Sequence, residues 1–125
     1  MKIKNWLTGV FCVTLCFAQA VLAEAPSSPD WQVYFSPKGG CTEAIVKAID
    51  GARSTVFVQA YSFTSKPIAN ALVNAYQRRV DVRVIVDDSE ATKGHEAAYL
   101  SSVGVPVSID AAHAIAHNKI GRAHV

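Results

Sequence analysis

The sequence predicts an α/β domain: a mostly parallel sheet with helices on both faces. Three observations predict it. Short β-branched and aromatic runs alternate along the chain with segments whose apolar residues recur at helical spacing. The run STVFVQAYSFT, residues 54–64, is apolar at nearly every position, the pattern of a strand covered on both faces. The chain has 125 residues and is 50% hydrophobic, enough for one folded core and not two.

The first element is not part of that core. Residues 1–23, MKIKNWLTGVFCVTLCFAQAVLA, begin with Lys2 and Lys4, continue through an apolar run over residues 6–17, and end in small residues. This is the order of a cleaved secretory signal peptide. Cleavage is expected after Ala23, with Ala20 as the second choice. The competing reading is a membrane anchor. Against it, the run is shorter than the roughly 20 residues a helical span needs, and no basic stop follows it. No stable membrane anchor is therefore expected, and the protein should be periplasmic or secreted. Without Lys2 and Lys4, ten basic residues face ten acidic ones. Bulk charge then gives no argument for nucleic acid, and any anion site must be local. Cys12 and Cys16 leave with the leader. Cys41 remains and has no internal disulfide partner. It reads as a small apolar packing residue near a helix start, with a reactive thiol as the lesser reading.

Residues 24–30, EAPSSPD, read as a linker. WQVYFSP, residues 31–37, is aromatic and β-branched and predicts a strand ending at Pro37. Lys38-Gly39-Gly40 is a turn. In CTEAIVKAIDGAR, Ile45, Ala48, Ile49 and Ala52 share a helical face and Glu43 sits in the first turn. The strand over residues 54–64 follows. Ser65 and Pro67 then open a helix that stacks Ile68, Leu72 and Tyr76. DVRVIVDD, residues 81–88, is a short buried strand ending in two acids. Residues 95–104 form a helix closed by Gly104. Residues 105–110 and 113–120 predict two further strands. Ligands of such sheets gather at the carboxyl ends of strands. Residues 61–64, Asp87-Asp88 and the region of residues 117–119 all fall there.

On a strand, residues two apart point the same way, so His117 and Lys119 can reach one ligand. A neutral imidazole is a competent nucleophile near neutral pH. A lysine beside it supplies positive charge for phosphate oxygens. The bland alternative is a pair of surface polar residues. His113 shares their face, but lies about 13 Å from His117 along an extended strand and has no evident third metal ligand. His95 reads as solvated. Asp87-Asp88 reads either as a carboxylate pair for acid–base work or as the polar end of a strand. Gln59, Tyr61 and residues 62–64 read either as lining of the site or as packing and turn. Arg78, Arg79 and Arg83 read as a solvated helix end, with a DNA contact as the weaker reading.

Three stretches carry a resemblance to a known family. They are AIVKAIDGARSTVFVQAYSFTSKPIANALVNAYQRRVDVRVIVDD, the Gly104-Val105-Pro106-Val107 strand, and His117-Asn118-Lys119. Residues 31–120 resemble the N-terminal part of a phospholipase D superfamily domain, and are most similar to its small secreted endonuclease branch, which carries one motif per chain. The family motif is H-x-K, four further residues and D, with a later Gly-Ser and Asn. His117 and Lys119 match its opening. The resemblance implies a metal-independent phosphodiesterase needing no cofactor. The motif histidine attacks phosphorus and forms a phosphohistidine. A second histidine, from a second copy of the motif, protonates the leaving group, and lysines steady the phosphate. One imidazole cannot be both bonded to phosphorus and the acid for the departing oxygen. A single-motif chain is thus expected to act as a two-fold homodimer.

The chain also departs from the motif. His124 stands where the motif aspartate should be, and no residues follow for the Gly-Ser and Asn elements. GRAHV, residues 121–125, has no strand pattern, and IGRAHV is similar to a translation of a sequencing adapter. Residues 121–125 are therefore expected to be a non-native tail, and the chain an N-terminal fragment with little turnover of its own. Three functions compete: a sequence-non-specific endonuclease acting on DNA or RNA, a phospholipase D acting on phospholipid headgroups, and a non-catalytic secreted binding module.

Overall fold

The structure, a computed structural model, describes residues 30–89 and 95–125. The expected signal peptide, and all of the expected linker except Asp30, lie outside the described residues. The chain divides into units Met1–Gln32 and Val33–Val125, and the fold is that of the second.

The helices form where the apolar spacing places them. α1, Cys41–Gly51, starts after Gly40, carries Glu43 in its first turn and buries Ile49. Its first turn is thereby matched to the positive end of the helix dipole. α2, Lys66–Gln77, has Pro67 in its first turn and buries Ala69, Ala71, Leu72, Val73 and Ala75. Small alanines let it lie close to its neighbours, while Leu72 fills the centre with no exposed surface. Nη2 of Arg78, just past α2, donates to the carbonyls of Ile49, Asp50 and Ala52 at 3.1, 3.2 and 3.4 Å. It thus adds a donor at the carbonyl end of α1, where the Ile49 carbonyl also accepts the Ala52 N–H. α3, His95–Ser102, buries Glu96, Ala97 and Leu100. Gly104 then turns the chain at φ 89°, a conformation that favours glycine.

The sheet has four strands: β1 Thr55–Ala60, β2 Asp81–Asp87, β3 Val107–Asp110 and β4 Lys119–His124. Their order is β3-β2-β1-β4. β1 and β2 are parallel, as are β2 and β3. β4 runs antiparallel to β1, pairing Ala60 with Lys119 and Thr55 with His124. The expected α/β class and mostly parallel sheet are therefore present.

Three details differ from the sequence reading. The first is cover. Val56, Ala60, Val82, Val84 and Val86 pack with α1, α2 and α3 in one core cluster. On the opposite face Phe57, Arg83, Ile85, Ile120 and Arg122 are exposed among the described residues. The described helices thus cover one face, not both. Val56 and Phe57 point to opposite sides as in any strand, but an unbroken apolar run cannot reveal which side the helices cover.

The second is residues 31–37. They form no strand. Phe35 makes only isolated bridges to Gly39 and Gly40, and Trp31, Val33 and Phe35 are exposed. The turn folds back so closely that a Cβ on Gly39 would collide with the backbone of Phe35. A strand-forming composition does not make a strand without a sheet edge to pair with.

The third is residues 113–120. Only Lys119 and Ile120 are strand, and the strand continues through residues 121–124, whose sequence carried no strand pattern. Residues 113–118 are irregular because their backbone groups bond elsewhere. Ala116 N–H donates to the Asp87 carboxylate and Asn118 N–H donates to the Ala116 carbonyl, at 2.9 and 2.7 Å.

Candidate active site

The parallel strands end together, and residues 61, 87 and 110 follow or close β1, β2 and β3. The irregular segment of residues 113–118 passes over these ends before entering β4. His117 is exposed at the end of that segment, and Lys119 is the first residue of β4.

Tyr61 joins them. Its backbone N–H donates to the Asn118 carbonyl at 2.8 Å, extending the β1–β4 pairing past Ala60. Its ring centroid lies 4.6 Å from that of His117, tilted by 57°. Lys119 Nζ lies 5.6 Å from the same centroid, within cation–π range. One aromatic ring therefore touches both residues that the sequence singled out.

The two do not border the same cavity. His117 lines a cleft of about 460 Å³ with Gln59, Asp110, His113, Ile115, Ala116 and Asn118. Lys119 lines an apolar groove of about 470 Å³ that also receives residues 62–65. The expected sharing of one strand face holds only loosely, because His117 precedes the strand.

Asp87 is 4% exposed, at the end of β2. Its Oδ1 accepts from the Ser89 N–H and hydroxyl at 3.0 and 2.7 Å, and its Oδ2 accepts from Ala116 N–H at 2.9 Å. These bonds hold its carboxyl below the usual carboxylate range. The Ser89 hydroxyl contributes most, then the Ala116 and Ser89 amides; burial opposes them, and the charge of His117 adds a smaller lowering. Asp88 is exposed, while both Asp87 oxygens are taken up by Ser89 and Ala116.

Asp110 and His113 form a second pair, with His113 Nδ1 at 2.9 Å from Oδ2 and 3.0 Å from Oδ1. This bond is the main reason the Asp110 carboxyl is held below its usual range. The Asn118 side-chain oxygen is buried and has no hydrogen-bond partner among the described residues.

The remaining candidates fall elsewhere. His95 borders a separate cleft with Lys66, Asn70, Glu96 and Tyr99. Arg78 is committed to α1, and Arg83 pairs with Asp81 at 2.9 Å and lies over Phe57. The three arginines are thus not one basic patch. Among the described residues, no group of three or more His, Cys, Asp or Glu side chains could hold a metal ion. Sequence reasoning missed Asp110 and the Ala116 amide. The first gave only a strand-end acid as its signal, and a backbone donor gives none.

Residues 45–123 match a family model described as cardiolipin synthase, PLD-like domain. The chain is 38% identical over 87 residues to a phospholipase D of Rickettsia prowazekii, covering 69% of this chain and 42% of that protein. It is 36% identical over 76 residues to a mitochondrial cardiolipin hydrolase of Drosophila melanogaster, covering 60% of this chain and 30% of that one. The chain thus spans less than half the length of these relatives. Among solved structures, it is similar to Nuc from Salmonella typhimurium, a phospholipase D family member. The TM-score is 0.68 at 35% identity, over 74% of this chain and 62% of that one.

Proposed function

The chain belongs to the phospholipase D superfamily, and on that premise we propose that it is a phosphodiester hydrolase with His117 as nucleophile and Lys119 as the phosphate-binding cation. The observation that carries this reading is the Tyr61 ring, which touches both side chains at the carboxyl end of the parallel strands.

The chemistry follows from the two groups. The neutral His117 imidazole attacks phosphorus, an N–P bond forms and the P–O bond to the leaving group breaks. Lys119 offsets the charge on the non-bridging oxygens. The departing oxygen takes a proton from a second imidazolium, which His117 cannot supply while bonded to phosphorus. Water then adds to phosphorus, gives its proton to that second imidazole and releases His117. The second histidine comes from another copy of the motif. A homodimer is the proposed active unit, as the resemblance to small single-motif endonucleases implies. The proposed location is periplasmic or secreted, by virtue of the leader sequence in residues 1–23.

The proposed substrate is nucleic acid, cleaved without sequence preference, as the resemblance to small single-motif endonucleases implies. A phospholipid headgroup is the second reading, favoured by the names of the two matched relatives. The test uses the protein expressed from its complete gene, in chelator, with plasmid DNA in one assay and phosphatidylcholine or cardiolipin vesicles in another. DNA cleavage lost in His117→Ala supports the first reading. Headgroup or phosphatidate release without DNA cleavage replaces it with the second. Activity on neither, with a soluble folded protein, leaves the non-catalytic binding module.

A further inference from the structure

We propose that Asp87 is a positioning residue that fixes the backbone on which His117 is carried. The catalytic part of this inference rests on the function proposed above. The hydrogen-bonding part stands without it.

Asp87 is separated from Ala116 by 29 residues, yet its Oδ2 accepts the Ala116 N–H in a buried hydrogen bond of 2.9 Å. Oδ1 is occupied differently, by the Ser89 N–H and hydroxyl. The carboxylate thus ties the residues just after β2 to the segment before β4. On the other side of His117, the Asn118 carbonyl accepts the Tyr61 N–H at 2.8 Å, and the Asn118 N–H donates to the Ala116 carbonyl at 2.7 Å. His117 is therefore the single residue between two anchored ones. Ala116 is tied to β2 through Asp87, and Asn118 to the end of β1 through Tyr61.

The rest of the segment needs such anchors. Residues 111–115 are exposed and irregular. Upstream, His113 is tied to Asp110; between it and Asn118, the Asp87–Ala116 bond is the tie to the sheet among the described residues. A nucleophile displaced by about 1 Å loses about 100-fold in rate.

The chemistry also explains why the residue is a carboxylate. Both of its oxygens accept, and the two sets of donors approach different oxygens. An asparagine offers one oxygen and one NH2 group. Turned so that its oxygen keeps the two Ser89 donors, it sets its NH2 group against the Ala116 N–H, and the Ala116 bond is lost.

The test uses the protein expressed from its complete gene, with bis(p-nitrophenyl) phosphate as substrate. Wild type, Asp87→Asn and Ser89→Ala are compared in kcat, KM, thermal midpoint and the exchange rate of the Ala116 amide proton. Ser89→Ala removes one donor on Oδ1 and leaves the Ala116 bond in place. It controls for a role confined to the residues just after β2. Asp87→Asn is expected to stay folded, lose about 100-fold in kcat with KM nearly unchanged, and exchange the Ala116 amide at least about tenfold faster. Ser89→Ala is expected to keep kcat and the Ala116 exchange rate within about threefold of wild type.

The proposal is overturned by a folded Asp87→Asn protein with wild-type kcat, by equal losses in both variants, or by unchanged Ala116 exchange in Asp87→Asn. If the wild-type protein turns over no phosphodiester, the functional reading fails instead. Ala116 exchange then decides by itself whether Asp87 holds the segment.

Discussion

The Tyr61 and His117 rings lie with centroids 4.6 Å apart at 57°, and Lys119 Nζ approaches the same Tyr61 ring at 5.6 Å. The contact is between rings, so the tyrosine hydroxyl is not what joins the two residues. In the protein expressed from its complete gene, Tyr61→Phe is expected to keep nearly full phosphodiesterase activity. Tyr61→Ala should lower kcat about tenfold, in line with an aromatic pair contribution of about 0.5–1.5 kcal/mol. Equal activity in Tyr61→Ala and wild type would remove Tyr61 from the site.

His117 and Lys119 are expected to separate in kinetics. His117→Ala removes the group that bonds to phosphorus, and should reduce kcat by at least about 1000-fold. Lys119→Ala removes charge stabilisation and should reduce it about 100-fold to 1000-fold. Rapid-quench detection of a phosphorylated protein in wild type and Lys119→Ala, but not in His117→Ala, would assign the nucleophile. A phosphorylated His117→Ala protein would place the nucleophile elsewhere.

Acid should unfold the protein partly through its two lowered carboxylates, Asp87 and Asp110. A carboxyl held low in the folded state adds stability that is present above its unfolded value, near about 3.9. That stability is lost as pH falls through the lower folded value. The thermal midpoint should therefore drop as pH is lowered from about 5. Asp87→Asn should start lower at neutral pH and lose less over the same interval. An equally steep acid loss in the variant would show that Asp87 takes no part.

The core prediction concerns Leu72, which has no exposed surface and sits where α2 meets the sheet. Leu72→Ala leaves a cavity in the core cluster it belongs to, and should cost about 2–5 kcal/mol in urea unfolding. Ile45→Ala, at a side chain 45% exposed, should cost far less. Similar losses at both positions would mean that the core is not centred on Leu72.

Much of this was legible in the residues. DVRVIVDD reads as a short buried strand ending in two acids, and β2 is that strand, with Val82, Val84 and Val86 buried and Asp81, Arg83 and Ile85 exposed. Of the α2 face expected to stack Ile68, Leu72 and Tyr76, Leu72 is fully buried, Ile68 packs at the edge of the core and Tyr76 is exposed. His117 and Lys119 stand out by chemical type, spacing and their match to the opening of the H-x-K motif, and the structure brings both to one tyrosine ring. Residues 31–37 misled because composition reports what a strand prefers, not whether an edge is free. Residues 121–124 carried no strand pattern, yet they pair with β1. An exposed edge strand has no buried face to write a hydrophobic pattern into the sequence.

The sequence by itself determined α1, α2, α3 and the strands β1, β2 and β3 in their order, because local periodicity and side-chain chemistry are properties of short stretches. Only the tertiary structure decided which face of the sheet is covered, that β4 lies antiparallel beside β1, and that Asp87 reaches Ala116 across 29 residues. A backbone amide looks alike at every position in a sequence. Its partner is fixed only when the folded chain brings a buried acceptor to it and leaves it no other.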